Sequence, residues 1–209
     1  MNIFSDLMAL HEENHLADER LTTLINHFWS MRGRLNNKLT AEGAAGTISE
    51  KRYKRLLTAL LDELIRESVD IQNTTRQSGW VLKTLDDRLH ISLLRALHIQ
   101  WCNHARIYAL NQAGNSPEKT FPENPVSDWY KNAGKTQFAH LPAFSPLGDA
   151  LNRFQAATEA LRLEGRYRMS PDSLSEKLQL FDAACQSVTG ALGGLDEQIN
   201  TMADLARIN

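Results

Sequence analysis

The stretch Trp129-Tyr-Lys-Asn-Ala-Gly-Lys-Thr-Gln-Phe-Ala-His-Leu-Pro-Ala-Phe144 lies between two helical patterns and is the most telling part of this 209-residue chain. The residues around its start predict a short helix over Val126 to Ala133 that stops at Gly134. Just beyond its end, Pro146 suits the first turn of a helix, where the N–H it lacks would be unpaired anyway. Leu147, Leu151, Phe154, Thr158 and Leu161 then recur at steps of three and four, so one apolar stripe runs to about Leu163. Elsewhere, too, apolar residues recur near a period of 3.6, and no run alternates as a strand would. The fold class that follows is all-α.

Working outward, Ser5 is placed to cap a first helix that carries Leu7, Leu10, Leu16, Leu21, Leu24, Ile25 and Phe28 to about Leu39, with a break expected near Asn14. Ala41 to Thr47 contains two glycines and reads as a loop. Thr47 or Ser49 can cap a second helix reaching about Thr75, so residues 1–75 read as a helical hairpin and a docking region. Gly79 marks a joint, after which Trp80 to Asn111 forms a long helix. Leu94, His98, Trp101, Ala105 and Tyr108 share one of its faces. Gly114-Asn-Ser-Pro117 ends it, and Pro117 to Pro125 is a loop. A turn over Gly165 to Ser170 leads to Ser170-Pro-Asp-Ser, which opens a last helix. There Leu174, Leu178, Phe181, Cys185, Val188, Leu192, Leu195 and Ile199 point inward, and Gly193-Gly194 predicts a kink. Residues 79–209 form the second expected domain.

Bulk properties exclude some classes. Hydrophobic residues make up 42% and charged residues 23%, ordinary for a globular chain. A net charge of −2 and a pI near 6.4 give no broad pull towards nucleic acid or anionic lipid. The local exception is Lys51, Arg52, Lys54 and Arg55, a candidate nucleic-acid patch whose simpler meaning is the solvated start of a helix. No apolar run is long enough to span a membrane, and Met1 to Asp6 lacks the features of a secretory signal. The expected location is the cytoplasm, with Cys102 and Cys185 as reduced thiols; one long-range disulfide is the alternative.

The Trp129–Phe144 block, preceded by His98-x-x-Trp101 and followed by an amphipathic helix, resembles the chemoreceptor zinc-binding (CZB) domain family of bacterial sensory proteins. The resemblance covers about residues 79–202 and rests on Trp101, Trp129, Gly134, Phe138, Leu141, Pro142 and Phe144. It implies a four-helix bundle, preceded here by the hairpin. It also implies a zinc ion held by one His, one Cys and a His-x-x-x-His pair. On this sequence the ligand positions fall on His98, Asn124, Leu151 and Gln155, so only His98 is retained. The expectation is a fold that has lost zinc, with His98 a buried imidazole bonded to Gln155 or Asn124. A remnant metal site recruiting His104 or His140 is the alternative. Family members regulate a receptor or cyclase, and none of that output machinery is present here. A non-catalytic bacterial regulatory or adaptor protein follows, with a protein partner of unknown identity and a homodimer as one form. Phe28, Trp29 and Trp80 are candidate interface anchors.

Other motifs point to rival classes. His11-Glu-Glu-Asn-His15 matches the His-Glu-x-x-His pattern of zinc peptidases, in which two His on one helical face bind the ion. A residual zinc sensor or metal-dependent protein would use His11, His15 or His98. Yet only ten residues precede His11, and no strand is readable to bind a substrate. Arg20 and His27 have the spacing of HEPN-type helical ribonucleases, but Leu21 replaces a polar residue, and Asp18 and Glu19 would repel phosphate. Cys102 and His104 are two residues apart on a helix and do not face each other. No catalytic residue and no bound cofactor is therefore expected.

Overall fold

The computed structural model describes residues 3–41, 47–112, 124–164 and 170–208. Its helices are α1 (Ile3–Ala41), α2 (Ile48–Gln112), α3 (Pro125–Trp129), α4 (Lys135–Phe138), α5 (Phe144–Glu164) and α6 (Pro171–Ile208). A π-helical turn, Tyr130–Gly134, joins α3 to α4. Among the described residues there is no strand, so the expected all-α class is the observed one. Most of the expected loops at 41–47, 114–125 and 165–170 lie outside the described residues. The chain divides into two compact units, Met1–Asp86 and Asp87–Asn209, and α2 contributes to both.

In the first unit α1 and the start of α2 pack antiparallel. Asp18 pairs with Arg76 at 2.8 Å, Gln72 donates to Thr22 at 2.6 Å, and Arg32 pairs with Asp62. Partner numbers on α2 fall as those on α1 rise. The contact line has heptad spacing: Leu7, Asn14, Leu21, Phe28 and Leu35 form one column, and Asp18, Ile25 and Arg32 the other. Thr47 caps α2. Its hydroxyl accepts from the Glu50 N–H at 3.3 Å, while a Glu50 carboxylate oxygen accepts from the Thr47 N–H at 3.0 Å.

Two expectations fail here for one reason. α1 is unbroken at Asn14, and α2 is one 65-residue helix with no joint at Gly79. The two positions meet instead: a Cβ at Gly79 would lie 2.7 Å from Asn14 Oδ1. Gly79 is thus a notch that admits the Asn14 side chain, and the helical hydrogen bonds continue through it. Ser5, expected as the cap of α1, lies inside its first turn.

In the second unit Ile91 and Leu94 from α2, Leu147, Leu151 and Phe154 from α5, and Phe181, Val188, Leu192 and Leu195 from α6 form one apolar core. Both stripes read from the sequence face inward, although Leu174 and Leu178 are only partly buried. Polar ties flank the core. Arg88 binds Asp196 at 2.9 Å and Asn200 at 2.8 Å, and Arg106 binds Asp182. Ser170 caps α6 by accepting from the Ser173 N–H at 3.3 Å.

The helix that starts near Val126 does not stop at Gly134; it passes through the π turn to Phe138. Gly134 serves packing, because a Cβ there would lie 3.0 Å from three atoms of the Trp129 ring. Nor do Gly193 and Gly194 interrupt α6. These glycines supply a contrast. Gly134→Ala is expected to cost about 1–3 kcal/mol through overpacking. Gly190→Ala, where nothing lies within 4 Å of the new methyl, is expected to gain about 0.5–1 kcal/mol of helix propensity. Thermal melts of the two variants should move in opposite directions.

Candidate functional site

Local structure places His98 at the centre of the second unit. It lies on the inward face of α2, one turn before Cys102, and its side chain is fully buried. Phe154 of α5 meets the imidazole edge-on, with ring centroids 4.9 Å apart. Trp101 meets the same Phe154 at 5.3 Å and lies 6.4 Å from Phe181. Phe154 therefore packs directly on the imidazole and links it to Trp101 and Phe181.

A buried imidazole must have its polar atoms paired. Asn124 supplies the first partner. It caps α3, and its Oδ1 accepts the Val126 N–H at 2.9 Å. That bond fixes which way the amide points, so Nδ2 faces His98 Nδ1 at 2.9 Å. Nδ2 can only donate; Nδ1 must therefore accept, and the ring proton resides on Nε2. Nε2 then donates to the Cys185 carbonyl oxygen at 3.3 Å. A helix cap on one element thus sets the histidine tautomer on another.

Burial holds the His98 pKa below its ordinary value near 6.5, against the smaller opposing effects of Asn124 and the Cys185 carbonyl. The unfolded chain therefore takes up a proton before the folded chain does. This contribution to stability is complete above about pH 6.5 and is lost as pH falls through the folded pKa. His98→Gln is expected to flatten the stability curve in that window, as read by urea melts between pH 7.5 and 5.

At the positions that the resemblance pairs with zinc ligands, His98 meets Asn124. Leu151 is buried and apolar, and Asn124 is committed as described. Gln155 is exposed, so of the two expected partners of His98 only Asn124 is one. His104 and His140 are exposed as well, which removes both as recruits. The two cysteines follow the alternative expected for them. Cys102 and Cys185 form a disulfide between α2 and α6, with Cα atoms 6.6 Å apart, in place of the expected free thiols. Cys102 Sγ lies 3.5 Å from His98 Nε2. The detectable signal was position: Cys185 lies on the inward stripe of α6, and Cys102 is one turn from His98. Among the described residues, His98, Cys102 and Cys185 are the one group of three such side chains whose donor atoms could share an ion, all lying within 4.8 Å of one another.

The motif residues cluster around Trp129. Its ring lies 5.8 Å from Phe138, 6.3 Å from Phe144 and 6.1 Å from His90. Leu141 is buried beside them, and Pro142 is exposed in the turn before α5. These residues build structure.

The rival motifs are dispersed. His11 and His15 are exposed on α1, and His15 lies 3.8 Å from Glu19. Arg20 and His27 are exposed two turns apart. Lys51 and Lys54 are half-buried, whereas Arg52 and Arg55 are exposed, so the basic cluster is divided between helix faces. No helix among the described residues is long and apolar enough to cross a membrane. Comparison with family models, curated proteins and solved structures finds no match to this chain.

Proposed function

We propose that this chain is a non-catalytic regulatory or adaptor protein working through protein contacts. Its CZB-like bundle has a former ion pocket rebuilt as ordinary core. The observation that carries this reading is the double engagement of His98. Zinc on Nδ1 would have to displace the Asn124 amide that already donates to it, and zinc on Nε2 would need the proton to move to Nδ1. Asn124 could accept that proton only by turning its amide, which would set Nδ2 against the Val126 N–H, donor against donor. Leu151 fills space where a ligand would stand, as close packing demands. The order of motif residues from His98 to Phe144 supports the family assignment.

The test is elemental analysis of protein purified without chelator under reducing conditions. A zinc content near zero is the expected result. About one tightly held zinc per chain would defeat the proposal.

One observation favours a second reading. Reduced Cys102 and Cys185 with His98 would present two thiolates and an imidazole, donors that zinc prefers. This site differs from the family's and requires both an open disulfide and the opposite tautomer. Zinc that disappears in Cys185→Ala but persists in Asn124→Ala would promote it.

A further inference from the structure

The heptad columns of the first unit hold more apolar surface than the hairpin covers. On α1 the strongest apolar pattern is Ile3, Leu7, Leu10, Leu21, Leu24, Phe28, Met31 and Leu35, at alternating steps of three and four with polar or small residues at 14 and 17. Its Leu7, Leu21, Phe28 and Leu35 members lie on the contact line with α2. Leu10, Leu24 and Met31 fall in the neighbouring column. The same offset recurs on α2, where Leu61 faces α1 and Leu64, Ile71 and Leu85 form the neighbouring column. Leu10, Leu24, Leu64, Ile71 and Leu85 keep 42–56% of their surface exposed.

In an antiparallel pair the corresponding flanking columns of the two helices lie on the same side. The extra columns therefore merge into one apolar face. The other side carries the polar ties, the Asp18–Arg76 and Arg32–Asp62 ion pairs and the Thr22–Gln72 bond, beside the exposed Met8 and Trp29. Its exposed Trp29 lies under the Arg32 guanidinium, 5.3 Å from the ring centroid. A helix with a contact line plus one flanking apolar column has the pattern of a bundle member with two neighbours, whereas a hairpin supplies only one.

We infer that two copies of this chain dock through this face, closing their hairpins into an intermolecular four-helix bundle. Three features select a second copy. The face is self-complementary, as a two-fold interface requires. Its extent, about 32 Å of helix by roughly two helix widths, gives on the order of 600 Å² per copy, at the lower end of stable interfaces. Charge matches at the ends: Glu13 and Arg34 stand at opposite ends of the exposed column bordering this face on α1, so reversing one hairpin against the other brings them together, with Arg20 against His27 between them. The inference stands on the hairpin alone and is independent of the reading of the His98 pocket.

Sedimentation equilibrium of the full chain at micromolar concentration tests it. The expected mass is twice the 23.6 kDa of the chain. The double variant Leu64→Glu and Ile71→Glu is expected to weaken association at least about a hundred-fold with helix content retained, since it buries unpaired charge in the interface. Lys83→Glu on the polar side should leave the dimer intact. If the double variant fails to fold, Arg34→Glu should weaken the dimer and adding Glu13→Arg should restore it. A monomer, a dimer sensitive only to Lys83→Glu, a dimer indifferent to the face and swap variants, or stoichiometric co-purification of a different polypeptide on this face would each overturn the inference.

Discussion

Breaking the Cys102–Cys185 disulfide is expected to lower the stability of the second unit by about 4–5 kcal/mol. The cysteines are 83 residues apart, and on the chain-entropy account a cross-link of that span removes about this much freedom from the unfolded chain. Guanidinium melts with and without dithiothreitol, followed by tryptophan fluorescence, should show it. Cys102→Ala and the double alanine variant should lose about the same amount, because either change removes the bridge. A wild-type melt indifferent to reductant would mean that the sulfurs are not linked. A loss that appears only after chelation would move the argument to the metal reading.

The second large effect is expected at Asn124. Asn124→Leu removes the cap of α3, worth about 1 kcal/mol. It also leaves the buried Nδ1 of His98 without a donor, worth about 1–3 kcal/mol more. The sum, about 2–4 kcal/mol, should be read from the same melts. Asn124→Asp separates the two roles. A carboxylate still accepts from Val126, but it can only accept from His98, so the ring proton should move to Nδ1 and the imidazole pKa should rise relative to the wild type. Long-range nitrogen–proton spectra of the histidine ring distinguish the tautomers. A proton already on Nδ1 in the unmodified protein would refute the lock and reopen Nε2 to metal.

Much of the helical framework was legible because it rests on local spacing. The stripe Leu147, Leu151, Phe154, Leu161 and the stripe Phe181 to Ile199 were assigned to buried faces by periodicity alone, and both are buried. The caps at Thr47 and Ser170 were readable for the same local reason. Two glycines suggest a joint or an end where the helix runs on: Gly79 in α2, and Gly134 between α3 and α4. There the missing side chain makes room for a neighbour, Asn14 or the Trp129 ring. The helix α6 likewise continues through Gly193. An intrinsic cost near 1 kcal/mol is too small to stop a helix whose flanks are held by tertiary packing.

The pocket divides in the same way. His98 was readable as a buried imidazole, and Asn124 as one of two partners, because an inward-facing polar group must be matched. Between reduced thiols and a disulfide at Cys102 and Cys185 the sequence does not decide, since neither local pattern shows that α2 and α6 meet at that height. Local spacing establishes that this protein is built from amphipathic helices and which faces they bury, and it places Asn124, Leu151 and Gln155 at positions that the resemblance pairs with zinc ligands. It takes the fold to make Asn124 set the His98 tautomer, to join two distant sulfurs, and to show that the apolar pattern of the hairpin exceeds what one hairpin covers. The physical reason is range: periodicity and capping act within a few residues, whereas a hydrogen-bond direction, a cross-link and an uncovered face depend on which distant residues the fold brings together.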